Sequence, residues 1–202
     1  MPLWLATRPL VLASKSAARR ALLEAAGIAI EIKPAAIDER AMEARAGMVG
    51  AGEVAALLAR EKAKAVAAES PERIVVGADQ TLALDGRRFS KAANRAAARE
   101  QLRALRGETH TLHSAVAVVR AGEVVFEHLD TARLTMRAFS DAFVESYLDA
   151  VGDAALTSVG GYQLERAGIQ LFERVEGDHF TVLGLPLLPL LAYLRQAGLL
   201  AA

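Results

Sequence analysis

The chain has no cysteine, which excludes disulfides, thiolate nucleophiles and cysteine-ligated zinc together. It also lacks a surplus of either charge: 24 Lys and Arg offset 24 Asp and Glu, and the formal net charge is zero. Polynucleotide binding draws on a basic excess, so no nucleic-acid polymer is expected as partner, whereas a small anionic ligand needs only a few local cations. No apolar run of about 18 residues is present to span a bilayer. The apolar opening Met1–Ala13 is broken by Arg8 and Pro9 before a secretion-type core could form. No membrane partner is expected, and the cytoplasm is the expected location. Common phosphate-binding signatures are missing too. There is no G-x-x-x-x-G-K-[ST], and Gly47, Gly50 and Gly52 have the wrong order for G-x-G-x-x-G. The four histidines form no helical H-x-x-x-H pair, and His110 and His113 would face opposite sides of a strand, which argues against a histidine metal site.

What is present is a globular composition, 53% hydrophobic and 24% charged over 202 residues, read as one domain spanning 1–202. Short β-type runs alternate with longer helical stretches, which predicts an α/β layer architecture. Leu10–Ala13 reads as a strand opening into a Ser-rich turn, Ala18–Ala26 as a helix stopped by Gly27, and Ile28–Lys33 as a strand. Glu53–Ala68 is a long Ala-rich helix. Ile74–Val76 is a strand entering Gly77-Ala78-Asp79, and Leu82–Leu84 with Asp85-Gly86 suggests a hairpin. Arg95–Arg106 is helical. Thr109–Val119 and Val124–Leu134 flank Ala121-Gly122 as an antiparallel pair, so the sheet is mixed. Ser140 caps a helix to about Ala150, Ile169–Val175 is a strand, and Leu185–Gln196 is a helix begun by Pro186.

Two clusters could carry chemistry. Ser14-Lys15-Ser16-Ala17-Ala18-Arg19-Arg20 places hydroxyls, free N–H groups and cations where the first strand meets the first helix, an arrangement suited to an anion. Ordinary capping by serine and solvated arginines would give the same string. Asp38-Glu39, in an expected loop, and Asp79, after a β-branched strand, supply carboxylates of the kind Mg²⁺ or Mn²⁺ takes. Asp79 could equally cap a turn, and Glu39 could be solvated. Gly160-Gly161-Tyr162-Gln163-Leu164-Glu165 allows close backbone approach to a ligand, with Glu165 as an acceptor or as an exposed bend residue.

In chain order these segments resemble the Maf family of nucleotide pyrophosphatases. Leu12-Ala13-Ser14-Lys15-Ser16-Ala17-Ala18-Arg19 is similar to the family's opening turn, with Ala17 in place of proline. Asp38-Glu39, Lys62-Ala63, Gly77-Ala78-Asp79-Gln80, Lys91 (followed by Ala92 rather than proline), Gly160-Gly161-Tyr162 and Gly184-Leu185-Pro186 follow in family order. The resemblance covers residues 10 to about 197 and implies an elongated mixed sheet, flanked by helices in two lobes with a central nucleotide cleft, as in inosine triphosphatases. It also implies Mg²⁺- or Mn²⁺-dependent hydrolysis of a nucleoside triphosphate to the monophosphate and pyrophosphate, and homodimers, which are frequent in the family. By the same resemblance Asp79 is the base and a metal ligand, Glu39 a second metal ligand, and Ser14, Arg19, Lys62, Gln80 and Lys91 bind substrate. The run Gln163-Leu164-Glu165 resembles the 7-methyl-GTP branch. A carboxylate there suits a guanine-type edge, which donates two N–H groups side by side. A nucleotide sensor without turnover and a septum-related regulatory protein are the alternatives.

Overall fold

The computed structural model describes residues 3–47 and 49–201. The chain runs through β1 (Leu10–Leu12), α1 (Ala17–Ala25), β2 (Ile30–Ile32), α2 (Glu39–Ala46), α3 (Ala51–Ala68), β3 (Ile74–Leu84) and β4 (Arg87–Phe89). It continues through α4 (Arg95–Leu105), β5 (Thr109–Arg120), β6 (Glu123–Met136), α5 (Asp141–Val151), β7 (Phe172–Glu176), α6 (His179–Val182) and α7 (Leu187–Gln196). One mixed sheet has the order β2-β1-β3-β5-β6-β7, with β4 beside the far end of β3. β1 is parallel to β2 and β3, and every other pairing is antiparallel.

Local chemistry accounts for the helix starts. Ser16, Asp38, Asn94, Ser140 and Asp178 each accept a backbone N–H from the first turn of α1, α2, α4, α5 and α6, which satisfies donors that have no partner inside the helix. The short β3–β4 hairpin turns at Asp85-Gly86 and the long β5–β6 hairpin at Ala121-Gly122, both residues of each pair at positive φ, the geometry that matches strand twist.

Alternation along β3 and β5 divides the sheet into two faces. Val75 of β3 and Ala115, Ala117 and Val119 of β5 pack on α3 through Ala55, Ala59, Ala63 and Val66. On the other face Val76, Ala78, Val116 and Val118 meet Leu23 of α1 and Leu187, Leu190 and Leu194 of α7. Further along that same face Leu82, Leu112, Leu134 and Met136 form a separate core with Leu102 and Leu105 of α4 and Val144 and Leu148 of α5. Two lobes therefore share one sheet, with Gln80 and Ser114 as the polar break between their cores. At about 25 cal/mol per Å² of apolar surface withdrawn from water, these three cores dominate the stability of the fold.

Four expectations change. Ile74–Val76 and Leu82–Leu84 belong to one uninterrupted strand, because β5 pairs with it from Ile74 to Ala83. Glu39 is the first residue of a helix rather than part of a loop, since Asp38 caps α2 by accepting the Ala41 N–H at 3.0 Å. The strand expected from Ile169 begins at Phe172, after a 3-10 turn over Ala167–Leu171. The second strand is only Ile30–Ile32, set by its register on β1. No helix among the described residues is long and apolar enough to cross a membrane.

Candidate active site

β1 ends at Leu12, but its parallel neighbour β3 runs on to Leu84, and β4 takes up that edge only from Leu82. The stretch Ala78–Thr81 therefore has no strand beside it on the β1 side. This opening lies beyond the carboxyl end of a parallel strand, where α/β sheets place ligands. The Ser14 turn enters it from β1 and Asp79 from β3.

Asp79 is 7% exposed and faces α3. Its Oδ1 accepts from Lys62 Nζ at 2.6 Å, and the same ammonium lies 3.0 Å from Glu39 Oε1. Lys62, Asp79 and Glu39 come from α3, β3 and the first turn of α2, so three elements converge on one nitrogen. Burial pushes the Asp79 carboxyl above the ordinary carboxylate range, against the pull of Lys62 and then Arg19. A base shifted in that direction is better matched to a proton near neutrality.

Arg19 is held differently from its neighbour. Its Nε donates to the Gly184 carbonyl at 2.7 Å, and its Nη1 donates to the Ala78 carbonyl at 2.8 Å and to Ser14 Oγ at 3.2 Å. Burial lowers its pKa from the ordinary value, opposed by Asp79 and Glu39. Arg19 thus ties the β1 turn, the open edge of β3 and the segment before Pro186 into one piece. Arg20 points out and pairs with Glu24.

Ser14, Arg19, Lys62, Glu39, Asp79 and Gln80 are brought together at or beside the opening. Lys91 and Glu165 are both exposed and join none of the hydrogen bonds or ion pairs of that cluster among the described residues. Lys91 is nonetheless tied by its backbone to Val159, directly before Gly160-Gly161. Sequence reasoning missed Ser114 and Thr181, which are buried and hold Gln80 by hydrogen bonds. The signal for Ser114 was in the alternation: it is polar in the otherwise apolar series Leu112, Val116 and Val118 on one strand face.

The chain is similar to known proteins along its whole length. A nucleoside triphosphate pyrophosphatase of Nitrobacter winogradskyi is 58% identical over the whole of both chains, and one of Rhodopseudomonas palustris is 56% identical over the same span. A 7-methyl-GTP pyrophosphatase of Rhizobium etli is 52% identical over 95% of this chain and 98% of its own. The pattern of the Maf-like proteins matches residues 9–197, and the chain belongs to that family.

Proposed function

We propose that this chain hydrolyses nucleoside triphosphates to the monophosphate and pyrophosphate, and the observation that carries the reading is the convergence of Asp79, Lys62 and Glu39 at the open edge of β3. Asp79 accepts a proton from the attacking water. A new P–O bond forms at the α-phosphorus as the bond to the leaving pyrophosphate breaks, and negative charge builds on the departing oxygens. Lys62, free N–H groups of the Ser14 turn and the remaining edge of Arg19 are the local cations and donors that meet this charge. Lys91 is assigned to phosphate binding from the cleft rim.

Glu39 and Asp79 are hard oxygen donors that both reach Lys62 Nζ from two elements, and they are the residues that would hold a Mg²⁺ or Mn²⁺ ion shared with substrate phosphates and water. When bound, such an ion supplies charge neutralisation at the phosphates. Glu165 is assigned to the nucleobase, in keeping with the name of the Rhizobium relative. A guanine-type or 7-methylguanine triphosphate is the expected preference. The cysteine-free chain is compatible with the cytoplasmic location expected above, and light scattering tests the homodimer.

The test is pyrophosphate release from 7-methyl-GTP, GTP, UTP and dTTP with Mg²⁺ or Mn²⁺, for the native chain and for Glu165→Gln. Release that favours the guanine-type nucleotides, with a shift towards pyrimidines in the variant, is expected. Tight binding without release would make the protein a sensor, and a native preference for UTP or dTTP would remove Glu165 as selector.

A further inference from the structure

Gln80 projects from the sheet face opposite Asp79, in the polar break between the two lobes. Its Nε2 lies 2.9 Å from Ser114 Oγ and 3.1 Å from both the Thr181 and the Val182 carbonyl oxygens. All three partners can only accept. Carbonyls carry no proton, and the single hydroxyl proton of Ser114 is donated to the Thr181 carbonyl at 2.7 Å. Thr181 is anchored in turn, its hydroxyl donating to Asp130 Oδ2 at 2.8 Å and its N–H to Asp178 Oδ1 at 3.1 Å. Ser114 and Thr181 are both fully buried. Turned over, the amide would press its oxygen against three acceptors with no proton among them, so the network leaves it one orientation.

The carbonyl of Gln80 is then directed away from the network. A β-carbon placed on Gly184 would lie 3.5 Å from Arg19 Nε and Nη2 and 3.6 Å from Gln80 Oε1. An acceptor and a guanidinium edge thus flank the point that a Gly184 side chain would occupy, at ordinary contact distance from it. No side chain among the described residues donates to that oxygen.

We propose that Ser114 and Thr181 are positioning residues that hold Gln80 as an outward acceptor, through which the site favours nucleotides that bring an N–H or O–H to the space beside Gly184. This rests on the nucleotide reading above and deepens it. A carbonyl or an ether oxygen at that point would meet another acceptor and leave it without a partner, which is how a buried polar group rejects the wrong ligand.

Solvent exchange of the Gln80 side-chain amide protons, followed by NMR on the ¹⁵N-labelled native chain and assigned by loss of the signal in Gln80→Leu, tests the orientation directly. The protons are expected to be protected. Ser114→Ala should speed their exchange about tenfold or more and raise KM by about five- to tenfold, the scale of one lost hydrogen bond, with kcat held within about twofold. Ser114→Thr, which keeps the hydroxyl, should restore both. Thr181→Val, which releases the tie to Asp130, should speed exchange without reaching the Ser114→Ala value. Unprotected amide protons in the native chain, an Ser114→Ala variant unchanged in exchange and KM, or a loss confined to kcat would overturn the assignment. If no nucleotide releases pyrophosphate, the functional reading and the selective role both fall, and the exchange rates still decide whether Ser114 orients Gln80.

Discussion

Lys62 Nζ lies 2.6 Å from Asp79 Oδ1 because helix α3 crosses strand β3 at Gly77. A β-carbon on Gly77 would stand 2.1 Å from the Ala59 carbonyl oxygen and 2.6 Å from the Ala63 nitrogen, backbone atoms one residue position either side of a helical turn that carries Lys62. The close approach of two backbones is therefore what brings the ammonium into reach of the carboxylate.

Gly77→Ala should accordingly do two things at once. Overpacking of this kind costs about 1–3 kcal/mol, and α3 can relieve it only by moving away from β3 and taking Lys62 with it. Lowered thermal stability together with at least a tenfold loss of kcat is expected, although Gly77 lies in no position to touch substrate. Melting curves and steady-state rates on the same preparation check it, and a variant with native kcat would show that the Lys62–Asp79 distance tolerates the shift.

Asp79→Asn separates chemistry from folding. Turnover should fall by about 10²–10⁴-fold, the usual contribution of a general base. Because burial raises the Asp79 pKa on folding, against Lys62 and Arg19, its ionised form is less favourable in the folded chain than in the unfolded one, and removing the charge does not by itself weaken the fold. The remaining amide oxygen can still accept from Lys62, which also keeps Glu39. A melting temperature at or above the native value is expected. More than about a tenth of native kcat, outside the range of a lost base, would take the role away from Asp79.

Arg19→Ala and Arg20→Ala form an internal comparison. Arg19 holds Gly184, Ala78 and Ser14 in one frame, so its loss should lower both stability and activity, and Arg19→Lys should fail to restore them because one ammonium cannot reproduce the planar fork. Arg20 makes an exposed pair with Glu24, of a type worth about 0.3–0.5 kcal/mol. Denaturant midpoints and kcat/KM for the three variants would contradict this frame if Arg20→Ala matched Arg19→Ala.

His110 predicts an acid limb in stability. It is fully buried, its Nε2 lies 2.7 Å from the Tyr162 hydroxyl and its Nδ1 has no partner. Desolvation lowers its pKa from 6.5 to about 4. Between these values the unfolded chain binds the proton and the folded chain does not, so stability falls as pH drops through that window and levels off below it. The loss should reach about 3 kcal/mol. Urea unfolding of the native chain and of His110→Gln between pH 7 and 4 should show a shallower dependence in the variant, and parallel curves would assign the limb to other groups.

Much of this was legible before any coordinates. Capping serines, Gly27, the Asp85-Gly86 and Ala121-Gly122 turns and the alternation of β5 and β6 are local signals, because hydrogen bonding and backbone sterics act over a few residues. Arg19 and Asp79 stood out on local chemistry but kept an ordinary capping or surface reading beside it, and Lys62 was accessible only through the order of short motifs. α2 was missed because, among its described side chains, Glu39–Arg45 place no fully buried apolar group on the body and so show no amphipathic stripe. Sequence alone therefore determined the α/β layering, the tight turns, the places of the longer helices and the family, all consequences of local periodicity and motif order. Tertiary structure alone decided that Lys62 meets Asp79, that Arg19 clasps Gly184 across 165 residues of chain, and that Ser114 and Thr181 orient Gln80. Those relations depend on where helices cross a sheet and which strand ends first, distances that no local pattern encodes.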